Sequence, residues 1–400
     1  VTDCGFVDRA PVPDDLHAGL CCSGTLDGTL RTVVELSGQD MRRRRFLLGS
    51  AFNAAAFAEP ALLALTVPPT ESTARAGGRR VGMADVEILT EQVTHLRRLD
   101  YRYGSGRLRA QVVSLLHHEA DQLLHGTYSE KTGKALLTAV AQVTKLAGFT
   151  AADVGRAALA QRYFIQGLDL AMAAGDRRYA AAVLSEMASL TAQIAFNALA
   201  EDDRLRNGRQ AVALARAGLA VTEGRASPAQ AAELHALEAW GLALSGDARA
   251  ARRAVLESQR CYESIRPEDE PPWVGLYTEA AHSATVAKCL SGIGEPAQAI
   301  KLVSAVLRDY EPWRVRARCF AQTDLAGAYL LGRDFEQAAA LGRDALRTAA
   351  QVSSTRTLDR LHTLQRQIQP LRTASPQLRE LDDRITDLLT RSAAGAETNH

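Results

Sequence analysis

Three side chains on one predicted helix could together hold a divalent metal ion. His117, Asp121 and His125 are spaced four residues apart, and side chains at this spacing share one face of an α-helix. Imidazole and carboxylate groups are ligands that zinc accepts in proteins. Zinc sites usually draw a ligand from a second element, however, and the same pattern is typical of a solvated helix face. We therefore expect no bound metal, and these three residues are the candidate site if there is one.

Other catalytic patterns do not appear in the sequence. The Gly-Ser-Gly segment at residues 104–106 lacks the strand, the lysine and the later glycine of a nucleotide-binding loop. There is no nucleophile elbow and no metalloprotease helix. No two cysteines have the spacing of a zinc knuckle or a redox motif. The chain has six of them: Cys4, Cys21, Cys22, Cys261, Cys289 and Cys319. We interpret them as reduced thiols of a cytoplasmic protein, and we expect neither an enzyme nor a cofactor.

The element that would position a binding residue is a helical hairpin at residues 318–346. Apolar residues at intervals of three and four run from residue 319 to 331 and again from 335 to 346. A short breaker at residues 332–334 separates the two runs. Ala326 and Ala338 stand twelve residues apart with Tyr329 between them, and this arrangement resembles a tetratricopeptide unit.

The alanine spacing recurs earlier in the chain. Ala239 and Ala251 are twelve residues apart, and so are Ala287 and Ala299. The second alanines of successive hairpins lie 48 and 39 residues apart, longer than the roughly 34 residues of an undecorated tetratricopeptide unit. The hairpins are therefore divergent repeats with extra residues in their connections.

Two of these connections end in proline and tryptophan. Trp273 follows Pro271 and Pro272, and Trp313 follows Pro312. Proline is common in the first turn of a helix, and each tryptophan is expected to close the gap between successive hairpins. The sequence predicts an all-α fold, a tetratricopeptide-like α-solenoid of stacked antiparallel helix hairpins. The stack of hairpins should be right-handed. Each hairpin should contact mainly its neighbours.

Composition and charge agree with this fold. Hydrophobic residues make up 46% of the chain but aromatic residues only 5%, so Ala, Leu and Val must build the core, which suits helix packing. The 47 basic and 46 acidic residues give a net charge of +1, too small for a general attraction to nucleic acid. Because no recognition helix is visible either, we expect no strong direct DNA binding.

The sequence divides into four parts. Residues 1–40 are expected to be irregular, with at most short helices that glycines interrupt and no complete DNA-binding domain. Residues 41–83 should form an Arg-rich apolar helix and a flexible linker, residues 84–391 the helical array, and residues 392–400 a disordered tail.

Within the array, glycines mark the predicted helix ends. Gly126, Gly148 and Gly175 each follow an Ala/Leu run, as expected for a helix C-cap. The last two predicted helices, at residues 354–369 and 376–391, carry many polar residues and are typical of the cap that ends a solenoid.

The Arg-rich segment is open to two interpretations. Four arginines at residues 42–45, an apolar run at 46–52 and the small-x-small sequence at 56–58 are typical of a twin-arginine export signal if Met41 is the start. Asn53 limits the uninterrupted apolar run, which favours a linker helix that docks on the first hairpin. The segment is too short and too interrupted to span a bilayer.

Several runs of the array resemble a known family. They are LRRLDYRYG at residues 96–104, LAGF at 146–149 with DVG at 153–155, AQRYF at 160–164 and LAMAAGD at 170–176. They are similar to the C-terminal half of actinobacterial XRE-type transcriptional regulators, over roughly residues 40–390. The resemblance implies a cytoplasmic regulator with a tetratricopeptide-like sensor array. The helix-turn-helix domain of that family is not visible here, so the resemblance implies a regulatory role rather than direct DNA contact.

The tetratricopeptide register assigns candidate contacts to the concave face. They are the residues one position after the first-helix alanines and those six positions before: Trp240, Lys288 and Gly327, and Glu233, Ala281 and Phe320. We expect the charged and aromatic members, Glu233, Trp240, Lys288 and Phe320, to contact the partner. Alternatively, Trp240 and Phe320 merely complete the core between hairpins. Lys288 separates these interpretations, because packing alone explains its charge poorly.

Two functional classes remain open. The first is a cytoplasmic regulatory or sensor protein, linked to transcription, that binds a protein, a peptide or a small-molecule effector in its groove. The second is an exported repeat protein that acts as a scaffold for partners at the envelope. In the mature protein, an intact N terminus would support the regulator and a start at Glu59 would support export. No membrane span is expected. The sequence does not decide between a monomer and a homodimer.

Overall fold

The computed structural model describes residues 19–42, 51–67, 72–274, 277–311 and 313–397. The chain begins with α1 (Leu26–Met41) and α2 (Ala58–Thr66). Helical hairpins follow. The first pairs α3 (Met83–Tyr103) with α4 (Ser105–Ser114), and α4 is continued by a π-helical turn (Leu115–Ala120) and by Asp121–Leu124. The other hairpins are α5 (Glu130–Asp153) with α6 (Ala157–Ala173), α7 (Arg177–Asn197) with α8 (Glu201–Val221), α9 (Pro228–Leu244) with α10 (Ala248–Glu263), α11 (Glu279–Gly292) with α12 (Pro296–Asp309), α13 (Val315–Leu331) with α14 (Phe335–Ala349), and α15 (Thr355–Ile368) with α16 (Pro376–Glu397).

The all-α solenoid is therefore confirmed. Consecutive helices pack as antiparallel pairs, and each pair packs on the next. In the part of the chain that the structure describes, the only β-type pairings are two isolated bridges, between Arg75 and Tyr128 and between Arg80 and Thr127.

An aspartate caps the start of several helices. In α7 the carboxylate of Asp176 accepts a hydrogen bond from the backbone N–H of Tyr179 at 2.9 Å. Asp247 does the same at the start of α10, with the N–H of Ala250 at 2.9 Å. These caps satisfy backbone donors that the first helical turn leaves free. Gly-Asp pairs in the sequence thus mark turns between helices.

The spaced alanines lie where helices cross. Ala239, Ala251, Ala287, Ala299, Ala326 and Ala338 are all at most 2% exposed. Helix axes can approach closely there because a methyl group is the largest side chain that has to fit. The alanine spacing therefore identified three hairpins correctly.

Replacing one of these alanines with tryptophan should overpack the crossing. Ala338→Trp is expected to lower the free energy of unfolding by about 1 to 3 kcal/mol. Gln337→Trp, at the neighbouring exposed position of α14, is the matched control and should stay within about 0.5 kcal/mol of the parent. Urea unfolding of the three proteins measures both effects, and equal midpoints for the two variants would contradict the crossing.

The array curves until its C-terminal part meets its N-terminal part. Helix α13 packs on α3, and α15 packs on α5. The backbone N–H of Gly106 donates to the carbonyl of Ser353 at 3.0 Å, and the N–H of Ser353 donates to the carbonyl of Tyr103 at 3.1 Å. Each hairpin contacts mainly its neighbours, as predicted, and the closure adds contacts between distant hairpins that the sequence did not predict. We call this arrangement the closed superhelix.

The N-terminal segment is more ordered than the sequence indicated. Residues 26–41 form one continuous helix, α1, and Leu30, Val33 and Leu36 are buried in the main core. Gly38 does not break the helix. An added Cβ there would lie 2.9 Å from the ring of His117, so the glycine permits close packing on α4. In place of the expected short and interrupted helix, the structure therefore has one continuous helix at Leu26–Met41, and residues 1–18 lie outside the described part.

The region predicted as helix and linker also packs on the array. Helix α2 contacts α6 and α8 rather than the first hairpin. In the expected linker, Thr73 and Ala74 donate backbone hydrogen bonds to the carboxylate of Glu130 at 2.8 and 3.0 Å. The described part of this linker, residues 72–82, is therefore tied to the array. Residues 43–50, which hold most of the Arg-rich segment, lie outside the described part.

Two predicted helix ends are corrected. Gly148 lies inside α5, where an added Cβ would meet the ring of Phe164 at 2.7 Å; it is a packing position and not a C-cap. The following turn is at Gly155, which has φ of +79°. At the C terminus, α16 continues to Glu397 instead of ending at residue 391.

Helix α5 is long and apolar enough to cross a membrane by length and composition alone. In the structure, 72% of its apolar window is buried against other helices. Its composition is therefore that of a central core helix.

Candidate functional site: the interior of the closed superhelix

The first helices of the hairpins carry alternating arginines and aromatic rings on the inside of the closed superhelix. The guanidinium carbon of Arg316 lies 5.6 Å from the ring centre of Tyr101 and 4.9 Å from that of Phe149. The guanidinium carbon of Arg356 lies 5.8 Å from Phe149 and 5.3 Å from Phe320.

Arg360 extends the series. Its guanidinium carbon is 5.3 Å from the ring centre of Phe320 and 4.9 Å from that of Phe196. These distances are those of cation–π contacts. We call Tyr101, Arg316, Phe149, Arg356, Phe320, Arg360 and Phe196 the cation–ring ladder. It joins α3, α5 and α7 to α13 and α15, so it runs along the junction at which the superhelix closes.

Arg316 is anchored by two buried carboxylates. It lies 2.7 Å from an oxygen of Asp100 in α3 and 2.9 Å from an oxygen of Asp153 in α5, and both acids are fully buried. Asp153 also accepts hydrogen bonds from the N–H of Ser105 at 3.2 Å and from the hydroxyl of Ser354 at 2.8 Å. Two buried carboxylates beside it raise the pKa of Arg316, although burial opposes them. This network fixes the C-terminal helices to the N-terminal ones.

The ladder borders a cavity of about 200 Å³, which we call the central cavity. Its lining includes side chains from both ends of the array: Arg97, Tyr101, Lys145, Phe149, Glu186, Glu233, Trp273, Tyr277, Lys288, Arg316, Phe320 and Arg356. A cavity of about 120 Å³ lies next to it and shares Arg97, Lys145 and Trp273 with it. A third, of about 290 Å³, shares Lys288 and reaches Trp240 and Arg360.

The structure places all four predicted contact residues on this inner surface. Glu233, Lys288 and Phe320 line the central cavity. Trp240 lines the third cavity, where it packs on Phe196 with ring centres 6.1 Å apart. The tetratricopeptide register thus identified the inner face, and Phe320 and Trp240 also take part in packing.

Two acidic groups and one lysine set the polarity on one side of the central cavity. Lys145 lies 3.7 Å from Glu186, and burial lowers the pKa of Lys145. Burial and the nearby Glu186 raise the pKa of Glu233 to about 7. Near neutral pH, Glu233 is therefore able to donate as well as accept a hydrogen bond, which suits recognition of a polar ligand group.

Lys288 is packed more tightly than its sequence position indicated. Its ammonium nitrogen lies 4.8 Å from the ring centre of Trp240 and 3.9 Å from an oxygen of Asp324. Burial and the neighbouring Arg360 lower the pKa of Lys288 to about 7, although Asp324 acts in the opposite direction. The stem and the charge of Lys288 thus both contact the core, and the contact of Lys288 with a partner stays a prediction.

A lysine with a lowered pKa makes stability depend on pH. The unfolded chain, with the ordinary lysine pKa of 10.5, binds more protons than the folded chain between about pH 7 and 10, so stability rises with pH there. Lys288→Met removes this dependence. The free energy of unfolding of the parent, minus that of the variant, should rise by about 2 kcal/mol between about pH 7 and 9. Urea titrations at both pH values measure it. Lys301→Met, at an exposed position of α12, should show no trend, and a constant difference for Lys288→Met would contradict the lowered pKa.

The two tryptophans of the proline–tryptophan connections contact the opposite side of the closed superhelix. Trp273 packs on Tyr179 of α7, with ring centres 5.3 Å apart, and its carbonyl accepts a hydrogen bond from Arg97 of α3 at 3.2 Å. Trp313 packs on Tyr101 of α3 at 6.1 Å. They do not merely fill gaps between successive hairpins, as the sequence indicated, but link distant ones.

The three candidate metal ligands do not come together. His117 points to α1, where its Nδ1 lies 3.1 Å from the hydroxyl of Ser37. Asp121 and His125 pair with each other at 3.2 Å. The π-helical turn at Leu115–Ala120 changes the spacing on which the shared face depended. Within the described ranges, no group of three His, Cys, Asp or Glu side chains could hold a metal ion.

Five of the cysteines lie in the described part, and all five are free thiols. Burial raises the pKa of the thiols of Cys22, Cys289 and Cys319 to about 12. A thiol with so high a pKa is a poor nucleophile at neutral pH. Cys4 lies outside the described part.

The sequence carries a further signal for residues of the inner face. A cation is followed four residues later by an aromatic ring on three first helices: Arg97 and Tyr101, Lys145 and Phe149, and Arg316 and Phe320. Residues at this spacing share a helix face. The recurrence would have identified Arg97, Lys145 and Arg316 as inner residues.

Comparisons with known proteins assign no family to this arrangement. A scan against protein-family models finds no match. A search among curated proteins likewise finds no similar sequence.

Proposed function

We propose that this chain is the sensor part of a cytoplasmic, transcription-linked regulator that binds an effector inside the closed superhelix. The observation that carries the proposal is the central cavity, whose lining turns several charged side chains inward. Removing charges from water costs several kcal/mol per ion unless partners compensate. A core that served stability alone would fill this space with apolar side chains, so the charged lining is better explained by a ligand.

The position of the cavity supports a regulatory role. Residues of α3 and α5 line one side, and residues of α13 and α15 line the other. A ligand that contacts both sides stabilises the closed form over any more open one by its differential affinity. Binding inside would then change which outer surfaces the array presents to a protein partner. The resemblance to XRE-type regulators points to the same kind of function.

Filling the cavity tests the proposal. Ala281 lines the central cavity, and Ala281→Trp should occupy its space. We expect native mass spectrometry of the chain purified from its host to show a bound small molecule that Ala281→Trp lacks. Ala213→Trp, at an exposed position of α8, should retain it. Equal occupancy in the Ala281→Trp variant, or no bound molecule in the parent, would contradict the proposal.

A further inference from the structure

Arg356 differs from the other arginines of the cation–ring ladder in its partners. Arg316 is paired with two carboxylates, and Arg360 lies 2.7 Å from Asp324. Among the residues that the structure describes, the guanidinium of Arg356 contacts the rings of Phe149 and Phe320, and no hydrogen-bond acceptor or carboxylate lies within hydrogen-bond or ion-pair distance of it. The carboxylates of Asp153 and Glu186 act on it only from a greater distance. A guanidinium carries five N–H donors in a rigid fork. The donors of Arg356 therefore stay available to the cavity that it lines.

Charged neighbours also act on the guanidinium of Arg356. Burial lowers its pKa, and the neighbouring Arg316 and Arg360 act in the same direction, whereas Asp153 and Glu186 act against them. Arg97, which lines the same cavity, donates to the carbonyl of Trp273 at 3.2 Å. The lining of the cavity contains more basic than acidic side chains, with Glu186 and Glu233 as its two acidic members, and a bound anion would balance this excess.

The walls beside Arg356 are apolar and aromatic. The rings of Phe149 and Phe320 both contact its guanidinium, and Trp273 and Tyr277 line the same cavity. With its smaller neighbour, the central cavity reaches the lower end of the roughly 300 to 1,000 Å³ typical of small-molecule sites. The volume of about 200 Å³ suits a compact organic molecule better than a length of peptide.

We infer that the ligand of the central cavity is a small organic carboxylate, with its carboxylate on the guanidinium of Arg356 and its apolar body between the aromatic walls. This inference rests on the proposed sensor function and specifies its effector. The planar fork of arginine matches a carboxylate through two parallel hydrogen bonds. The phenyl rings that hold the guanidinium in place reduce the entropy lost when those bonds form.

Intrinsic fluorescence offers a direct test, because Trp240 and Trp273 line the cavities. The full chain is titrated with phenylacetate, 3-phenylpropionate and octanoate, and with the corresponding neutral amides. We expect at least one carboxylate to bind at least tenfold more tightly than its amide. Arg356→Gln should weaken its binding roughly ten- to hundredfold, the range for a hydrogen-bonded charge pair, and should abolish the preference over the amide.

Two further variants separate binding from folding. Arg253→Gln removes the same charge at an exposed position of α10 and should bind as the parent does. Arg356→Lys keeps the charge without the fork, so an intermediate loss of affinity is expected even if Arg356→Gln folds poorly. Melting temperatures of all variants show which of them are folded.

The alternative outcomes are distinguishable. Equal binding of carboxylates and amides, an unchanged preference in Arg356→Gln, or no binding of any carboxylate would overturn the carboxylate inference. If phenyl phosphate binds and none of the carboxylates does, the inference is overturned too, and the ligand would be a phosphate ester instead. The proposed sensor function is judged separately, by whether Ala281→Trp loses the molecule that the parent carries from its host.

Discussion

Replacing Arg316 with leucine is expected to lower the free energy of unfolding by about 3 to 5 kcal/mol, because the change leaves two buried carboxylates without their cation. Asp100 and Asp153 are both fully buried, and Arg316 lies within 2.9 Å of each. Urea unfolding measures the loss. Hydrogen exchange should also show faster exchange in α3, although more than 200 residues separate Asp100 from Arg316.

Arg347→Leu is the matched control for this prediction. Arg347 pairs with Asp344 on the outside of α14, and both side chains are largely exposed. Exposed pairs of this kind contribute about 0 to 1 kcal/mol. If Arg316→Leu were as stable as Arg347→Leu, the buried network would not be what holds the superhelix closed.

Gly104→Ala, which adds a single methyl group, should lower the free energy of unfolding by about 3 to 4 kcal/mol. Gly104 has φ of +82° and ψ of +156°, a conformation that is essentially restricted to glycine. A Cβ there would also lie 2.5 Å from the carbonyl oxygen of Ser353. Because that neighbour is backbone, it cannot rotate away, so Gly104→Ala should displace the segment after α14 from the turn between α3 and α4.

Gly246→Ala measures separately the part of this stability loss that comes from the backbone conformation. Gly246 has φ of +86° and no neighbouring atom within 4 Å of an added Cβ. Its replacement should cost about 1 to 2 kcal/mol, the penalty for a left-handed alanine alone. Denaturation midpoints of the two variants give the difference. Equal losses would mean that the chain does not close at Ser353.

The sequence predicted the hairpins well because their signals are local. Helical periodicity, the Gly-Asp turns and the spaced alanines all act within about forty residues. The inner face followed from the same register, which placed Glu233, Lys288 and Phe320 on the surface that lines the central cavity. The regular pattern within each repeat was sufficient to predict the hairpins and the inner face.

The closure could not be predicted in this way because its contacts join distant parts of the chain. Asp100 and Asp153 look like ordinary helix residues until the fold brings Arg316 between them. Arg356 belongs to a helix that its polar composition identified as the end of a solenoid. The structure turns this arginine inward, and no pattern within α15 indicates which face will be covered. The curvature of the whole array decides it.

An error at a glycine has a similar origin. The sequence places a helix end at Gly148, yet this glycine lies inside α5 and permits the ring of Phe164 to pack closely. Gly38 inside α1 does the same for the ring of His117. Sequence reasoning assigns glycine to turns because turns are its commonest place. A glycine required by tertiary packing has the same local appearance.

A double-cysteine cross-link between positions 106 and 353 tests the closed superhelix most directly. An added Cβ at Gly106 would lie 3.0 Å from the Cβ of Ser353, so a small shift brings the pair to the roughly 3.5 to 4.5 Å that a disulfide needs. We expect Gly106→Cys with Ser353→Cys to form an intramolecular disulfide under mild oxidation, seen as faster migration on a non-reducing gel. Pairing Gly106→Cys with Ser264→Cys, at an exposed position after α10, should give no such species. Absence of the 106–353 cross-link in folded, oxidised protein would contradict the closure and, with it, the cavity enclosed by both ends of the chain.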